Sequence, residues 1–137
     1  MSLIKRPSQV ELTRLHSIAN RLVDDLEGSS TQQCLSFVLS ADAFAKNPAL
    51  VSSFGADSSV LLHMMSLIKP DAQVVFLDTG FHFPETLAYR NQLVRTLGLT
   101  NVRSATVDPI AEKRLDARRR LHLNDADSCC QLRKVSV

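Results

Sequence analysis

Gln73-Val74-Val75-Phe76-Leu77-Asp78-Thr79-Gly80-Phe81-His82-Phe83-Pro84-Glu85-Thr86 passes from an unbroken apolar stretch, through a polar turn, into a segment opened by proline. Gln73 to Asp78 reads as a buried strand because its apolar residues are continuous rather than alternating. Pro84 stands where a helix tolerates it, in the first turn, and the segment through Leu97 stops at Gly98. The same order recurs on both sides. Upstream, Ala49 to Ser53 is a strand candidate, and Val60, Leu61, Met64, Met65 and Ile68 give Ser58 to Ile68 a helical pattern. Downstream, Asn101 to Thr106 is a third strand candidate. The order β-α-β-α-β predicts an α/β fold, a parallel sheet with helices on both faces and right-handed crossovers. Ligands of such sheets bind beyond the carboxyl ends of the strands, so function is expected in the loops after Ser53, Asp78 and Thr106.

Outside this core the chain reads as packing. Leu12, Leu15, Ala19, Leu22 and Leu26 share one helical face between about Ser8 and Glu27, and Gly28-Ser29-Ser30 ends that helix. A second helix is expected from Thr31 to about Lys46, broken at Asn47-Pro48 because the residue before proline is pushed to extended conformations. Beyond the third strand, Asp108-Pro109 looks like the cap of a helix through Ile110 and Leu115 to Leu121, followed by polar Asn124 to Ser128. The 137 residues fit one domain, with 1–47 as its helical part and 49–135 as the part that bears motifs.

A 45% hydrophobic and 22% charged composition belongs to an ordinary globular chain, and a net charge of +2 without a basic stripe gives no reason to expect nucleic acid. No apolar run has the length of a membrane span, and the first residues lack the apolar stretch of a secretory signal, so a cytoplasmic location and no membrane partner are expected. The sequence leaves a homo-oligomeric state open. Arg118-Arg119-Arg120 is expected to be a solvated face beside a helix end, with a phosphate or thioredoxin contact as the alternative.

Ser52-Ser53-Phe54-Gly55-Ala56-Asp57-Ser58-Ser59 joins a strand directly to a helix and places amide donors and hydroxyls at the helix start. Such a terminus favours phosphate or sulfate, although Ser and Asp also serve as plain helix caps. The loop lacks the Gly-Lys-Ser/Thr of a Walker A motif. His63, in the helix after this loop, is expected to be an orienting or partly buried side chain, and His82 has no second His, Cys or carboxylate nearby at metal spacing. Cys129 and Cys130 are adjacent, and α-carbons about 3.8 Å apart suit a disulfide poorly. Beside Arg133 and Lys134 their thiolates would be stabilised, which fits metal ligation or reactivity, whereas two small buried hydrophobes is the plain alternative. Cys34 is expected to be buried or inert.

Taken together, these segments resemble the assimilatory sulfonucleotide reductases, which act on adenylyl sulfate or phosphoadenylyl sulfate. The first loop is similar to the Ser-Gly-Gly-Lys-Asp-Ser loop of the ATP pyrophosphatase superfamily, of adenine nucleotide alpha-hydrolase-like fold, with Phe54 and Ala56 replacing its second residue and its lysine. Lacking that lysine, the loop suits a ligand with fewer negative oxygens than ATP. Leu77-Asp78-Thr79-Gly80, Phe83-Pro84-Glu85-Thr86, Tyr89, Leu93 and Leu97-Gly98-Leu99 continue the resemblance, and Cys129-Cys130-Gln131-Leu132-Arg133-Lys134 resembles the Cys-Cys-x-x-Arg-Lys motif of cluster-bearing members.

The resemblance covers about Ala49 to Val135. It implies that Ser53, Phe54, Gly55, Ala56, Asp57 and Ser58 hold the phosphosulfate, that Asp78, Thr79 and Gly80 line the nucleoside cleft, and that Lys134 lies between substrate and cluster. Cys129 and Cys130 would supply half the ligands of a 4Fe-4S cluster and favour adenylyl sulfate over its 3′-phosphorylated relative. The implied activity releases sulfite and AMP, with thioredoxin as electron donor. In the family, further chain follows this motif and carries the nucleophilic cysteine, so the chain is expected to be an amino-terminal part, inactive alone. The rival readings are a non-catalytic nucleotide-binding module and an ATP-using relative.

Overall fold

The computed structural model describes residues 8–40 and 48–137, divided into two compact units at the Cys34/Leu35 boundary. The first unit holds helix α1 (Gln9–Leu26), whose start is fixed by a capping box. Ser8 Oγ accepts from the Glu11 amide and the Glu11 carboxylate accepts from the Ser8 amide. Helix α2 (Thr31–Ser40) begins in that unit and ends in the second. The expected continuation of α2 to Lys46 and its break at Asn47 lie outside the described residues.

Three parallel strands form the second unit's sheet: β1 (Ala49–Val51), β2 (Gln73–Asp78) and β3 (Val102–Thr106), in that spatial order. The register places Leu50 beside Val74 and Val74 beside Val102. Parallel neighbours need long crossovers. Helices α3 (Ala56–Ile68) and α4 (Pro84–Thr96) supply them, so the expected β-α-β-α-β order is present. Strand β1 is shorter than expected, yet the Ser52 amide still bonds to the Val75 carbonyl.

Side chains alternate across a strand, so Val74 and Phe76 share one face of β2 and Val75 and Leu77 the other. The Val74 and Phe76 face is the core. It packs with Leu62 and Met65 of α3, half-buried Leu87, Leu93 and Val94 of α4, and Leu39 of α2. The other face is less covered, with Val75 and Leu77 half-buried and Val51 61% exposed.

After β3 the single helix expected from Asp108 is broken up. Asp108 caps α5 (Pro109–Leu115), which stops at Asp116. Two short helices follow, α6 (Leu121–Asn124) and α7 (Ala126–Cys130), and a π-helical turn covers Gln131–Val135. The polar stretch Asn124 to Ser128 contains a helix start, because Asp125 accepts from the Ser128 amide as its cap.

Leu62 is fully enclosed whereas Val60, on the same helix, is 62% exposed. Leu62→Ala is expected to cost about 2–5 kcal/mol by urea unfolding, and Val60→Ala less than about 0.5 kcal/mol. Equal costs would contradict the assignment of the core face.

Candidate functional site

The loop after β1 turns sharply at Phe54. This residue has φ 57°, a left-handed conformation that a bulky residue adopts only when its surroundings hold it there. What holds it is burial. The Phe54 ring is 2% exposed, meets Phe76 edge-on at 5.7 Å, and its amide donates to Ser52 Oγ at 3.1 Å. The Phe54 side chain therefore belongs to the core and does not line the cleft between this loop and the one after β2. Gly55 is extended rather than left-handed, and a Cβ there would meet only Ser53 Oγ at 3.5 Å.

Gly55 is the N-cap of α3 and provides no side-chain cap, so the helix presents first-turn amides that no capping side chain satisfies. Ser53 Oγ and Ser58 Oγ stand 3.2 Å apart beside them. Uncapped donors, the helix dipole and two hydroxyls make a site receptive to anions. Ser59 Oγ, one residue on, meets the Tyr89 hydroxyl at 3.1 Å and ties α3 to α4.

The loop after β2 is braced by its own side chains. Asp78 Oδ1 accepts from the Gly80 amide at 2.9 Å, and Thr79 Oγ1 accepts from the Phe81 amide at 3.3 Å. Gly80 takes φ 74°, which suits glycine. His82 packs on Phe76 with ring centroids 4.8 Å apart, and its Nε2–H donates to the Leu77 carbonyl at 3.0 Å. Between the two loops lies a cleft of about 300 Å³, lined by Ser52, Ser53, Leu77, Thr79, His82 and, from the far end of the chain, Lys134. That volume is at the lower end of small-ligand sites.

Lys134 reaches the cleft because its neighbour Arg133 is locked beneath it. Arg133 is 1% exposed. Its Nη1 donates to the Thr79 carbonyl at 3.0 Å, and its Nη2 donates to Glu112 Oε1 and Asp116 Oδ2, each at 2.8 Å. Burial works against the guanidinium charge, but the two carboxylates outweigh it and hold Arg133 protonated. Burial likewise works to raise the Asp116 pKa. Hydrogen bonds from Arg133 and from the Leu121 and Arg120 amides prevail, leaving the carboxyl below its ordinary range.

A second cavity, about 240 Å³, shares Thr79 and Lys134 with the cleft and is also lined by Phe81, His122, Cys129 and Cys130. All three cysteines are free thiols; Cys129 is buried, Cys130 exposed and Cys34 half-buried. The cavity thus has two thiols, two cationic side chains and, in Arg133 Nε, a buried donor with no partner among the described residues. Cys129 and Cys130 could give two thiolate ligands to a metal group held beside these cations.

Of the residues expected to bind substrate, Ser53, Thr79 and Lys134 line one cleft. Gly55, Ala56 and Asp57 are exposed at the start of α3 and Ser58 is half-buried beside Ser53, while Asp78 and Gly80 shape the second loop. His63 is exposed. Glu112, Asp116, Arg119 and the cleft-lining role of His82 escaped sequence reasoning. The available signal was the pair Glu112 and Asp116, four residues apart and hence on one helical face. Arg119 departs from a purely solvated run, because its Nη2 donates to the Gly80 carbonyl at 2.6 Å.

A parallel α/β unit with an anion-receptive helix start, a second loop and a lysine converging at the carboxyl edge of the sheet has the architecture of an adenine nucleotide alpha-hydrolase-like protein. Residues 47–137 match the phosphoadenosine phosphosulfate reductase domain, and the chain belongs to that family. It is 49% identical over 94 residues to an adenosine 5′-phosphosulfate reductase of Mesorhizobium japonicum, covering 69% of this chain and 37% of that protein. An enzyme of the same name from Rhodococcus erythropolis is 32% identical over 136 residues, 94% of this chain and 55% of the relative. A phosphoadenosine 5′-phosphosulfate reductase of Gloeobacter violaceus is 37% identical over 95 residues, 67% of this chain and 39% of the relative. The chain thus spans about half the length of these relatives, or less. No described helix is long and apolar enough to cross a membrane.

Asp116→Ala leaves the buried Arg133 charge short of a partner and is expected to cost up to about 3–5 kcal/mol at neutral pH. Because the folded pKa of Asp116 is depressed, its stabilisation is full above the unfolded value of about 3.9 and is lost as pH falls through the folded one. Thermal unfolding between pH 7 and pH 2 reads this directly. A melting temperature that Asp116→Asn leaves unchanged at pH 7 would refute it.

Proposed function

We propose that this chain forms the substrate-binding part of an adenylyl-sulfate reductase, adenylyl sulfate being the compound also called adenosine 5′-phosphosulfate. The observation that carries the proposal is the single cleft in which Ser53, Thr79 and Lys134 meet from three distant segments. The uncapped amides of α3, with Ser53 and Ser58, take the phosphosulfate oxygens. Asp78, Thr79 and Gly80 flank the nucleoside, with His82 packed on Phe76 to close that side. Lys134 balances the remaining negative charge at the mouth shared with the cysteine cavity.

The reaction is a nucleophilic displacement at sulfur. A cysteine thiolate attacks, the sulfur–oxygen bond to phosphate breaks, and AMP leaves with that electron pair. The two thiols of thioredoxin then supply two electrons, release sulfite from the enzyme thiosulfonate and become a disulfide. None of Cys34, Cys129 and Cys130 is assigned the attacking role. Cys129 and Cys130 would hold two corners of a 4Fe-4S cluster, an anionic group whose charge Arg133 and Lys134 would balance beside the substrate. The absence of a loop lysine and the tandem cysteines favour adenylyl sulfate over ATP and over phosphoadenylyl sulfate.

Calorimetry on the chain tests the reading. Adenylyl sulfate and AMP are expected to bind at least about tenfold more tightly than ATP or adenosine 3′,5′-bisphosphate, a difference of about 1.4 kcal/mol. Preference for the bisphosphate would move the assignment to phosphoadenylyl sulfate, and preference for ATP would discard it. With reduced thioredoxin and adenylyl sulfate, the chain is expected to release no sulfite; clear turnover would show that one of its own cysteines is the nucleophile.

A further inference from the structure

Two consecutive carbonyls of the Asp78–Gly80 loop are held by two arginines that share one carboxylate. Arg133 Nη1 donates to the Thr79 carbonyl at 3.0 Å, and Arg119 Nη2 donates to the Gly80 carbonyl at 2.6 Å. Glu112 Oε1 lies 2.8 Å from Arg133 Nη2 and 3.5 Å from Arg119 Nε. Both guanidinium groups also stand over the Phe81 ring, 4.5 Å and 5.0 Å from its centroid. Arg119 itself has φ 52°, an uncommon conformation for a residue other than glycine, asparagine or aspartate.

This arrangement dictates the shape of the loop. In a trans peptide the carbonyl and the amide point in opposite directions. Fixing the carbonyls of residues 79 and 80 towards the arginines therefore fixes the next two amides away from them. Those amides are the ones that Asp78 Oδ1 and Thr79 Oγ1 accept from. The loop is braced on both sides, and one brace runs through Arg133 into the segment that carries Cys129 and Cys130. Gly80 leaves room for this contact, since a Cβ at that position would sit 2.7 Å from Arg119 Nη2.

We propose that Arg119 and Glu112 are positioning residues that hold the Asp78–Gly80 loop in its ligand-receptive shape and, through Arg133, couple it to the tandem-cysteine segment. The proposal rests on the sulfonucleotide reading of the cleft only for the identity of the ligand. Neither residue touches the substrate; both act on the peptides that line it. By linkage, a disturbance of the loop must reach the cysteines as strongly as a disturbance of the cysteine segment reaches the loop.

The test compares wild type with Arg119→Gln, Glu112→Gln, Gly80→Ala and Arg119→Lys. AMP affinity is read by calorimetry, amide exchange by mass spectrometry over residues 78–83 and 73–77, and maleimide labelling of Cys130 at its own peptide. Arg119→Gln and Glu112→Gln are expected to weaken AMP and to speed exchange at 78–83 by about tenfold, with 73–77 unchanged. Gly80→Ala, which displaces Arg119 from the loop side, is expected to speed Cys130 labelling although Gly80 does not itself line the cysteine cavity. Arg119→Lys retains a donor for the Gly80 carbonyl and is expected to recover part of the affinity.

The proposal falls if Arg119→Gln and Glu112→Gln leave loop exchange at the wild-type rate, or if exchange rises equally at 73–77, which marks general destabilisation. It falls too if Gly80→Ala leaves Cys130 labelling unchanged. Should wild type fail to bind AMP, the sulfonucleotide reading is lost, whereas the exchange and labelling results still decide the clamp.

Discussion

A guanidinium with almost no contact with water stays in a protein interior only if other groups replace its hydration, and at Arg133 three do. Two carboxylates and one carbonyl surround it, drawn from α5, the Asp116 cap and the loop after β2. Removing any one partner leaves a charge or a dipole uncompensated in a poorly solvated place, so the segments that supply them are held together. The chain after β3 has few other means of anchoring itself. Helices α5, α6 and α7 are short, and the only buried side chains beyond Asp116 are Cys129, Leu132 and Arg133. Asp116 accepts from Arg133 with one oxygen, and with the other from the Arg120 and Leu121 amides. It therefore ends α5, starts α6 and neutralises the buried cation. Through Arg133, Lys134 and the two cysteines gain defined positions beside the sheet edge.

The site itself is assembled from places where local backbone preference gives way. Phe54 is left-handed because burying its ring against Phe76 compensates for an unfavourable backbone conformation. That turn sends the chain directly from β1 into α3, leaving the first helical amides without a side-chain cap. The loop after β2 takes the opposite course. Its amides are satisfied by Asp78 and Thr79, and its carbonyls by arginines. One loop keeps its donors open, and the other has both its donors and its carbonyls satisfied.

The order of strands and helices was legible because continuous apolar strands and proline- and glycine-bounded helices are local signals. Pro84 opens α4 and Gly98 follows it, as expected from the sequence. The region after Asp108 was less legible. Apolar spacing through Ile110, Leu115 and Leu121 suggests one helix, but Asp116 takes the amides that would otherwise begin a new turn, and the helix stops. The loop residues of the candidate site were legible from strand–helix junctions, the cysteines from their adjacency beside two cations, and the place of Lys134 only from the family resemblance. Arg119 sits in a run of three arginines that looks like solvated charge, and nothing in that run marks one member as bound to Gly80.

By itself, the sequence determined a parallel α/β unit, the two loops at its carboxyl edge and the family to which they belong. These depend on periodicity, turn residues and short motifs, all of which act within a few residues. Only the tertiary structure decided that Lys134 enters the cleft, that Cys129 and Cys130 open into a neighbouring cavity, and that Glu112, Asp116, Arg119 and Arg133 tie the two together. The physical reason is that a buried charge selects its partners by position in space, and those partners come from segments the linear sequence keeps far apart.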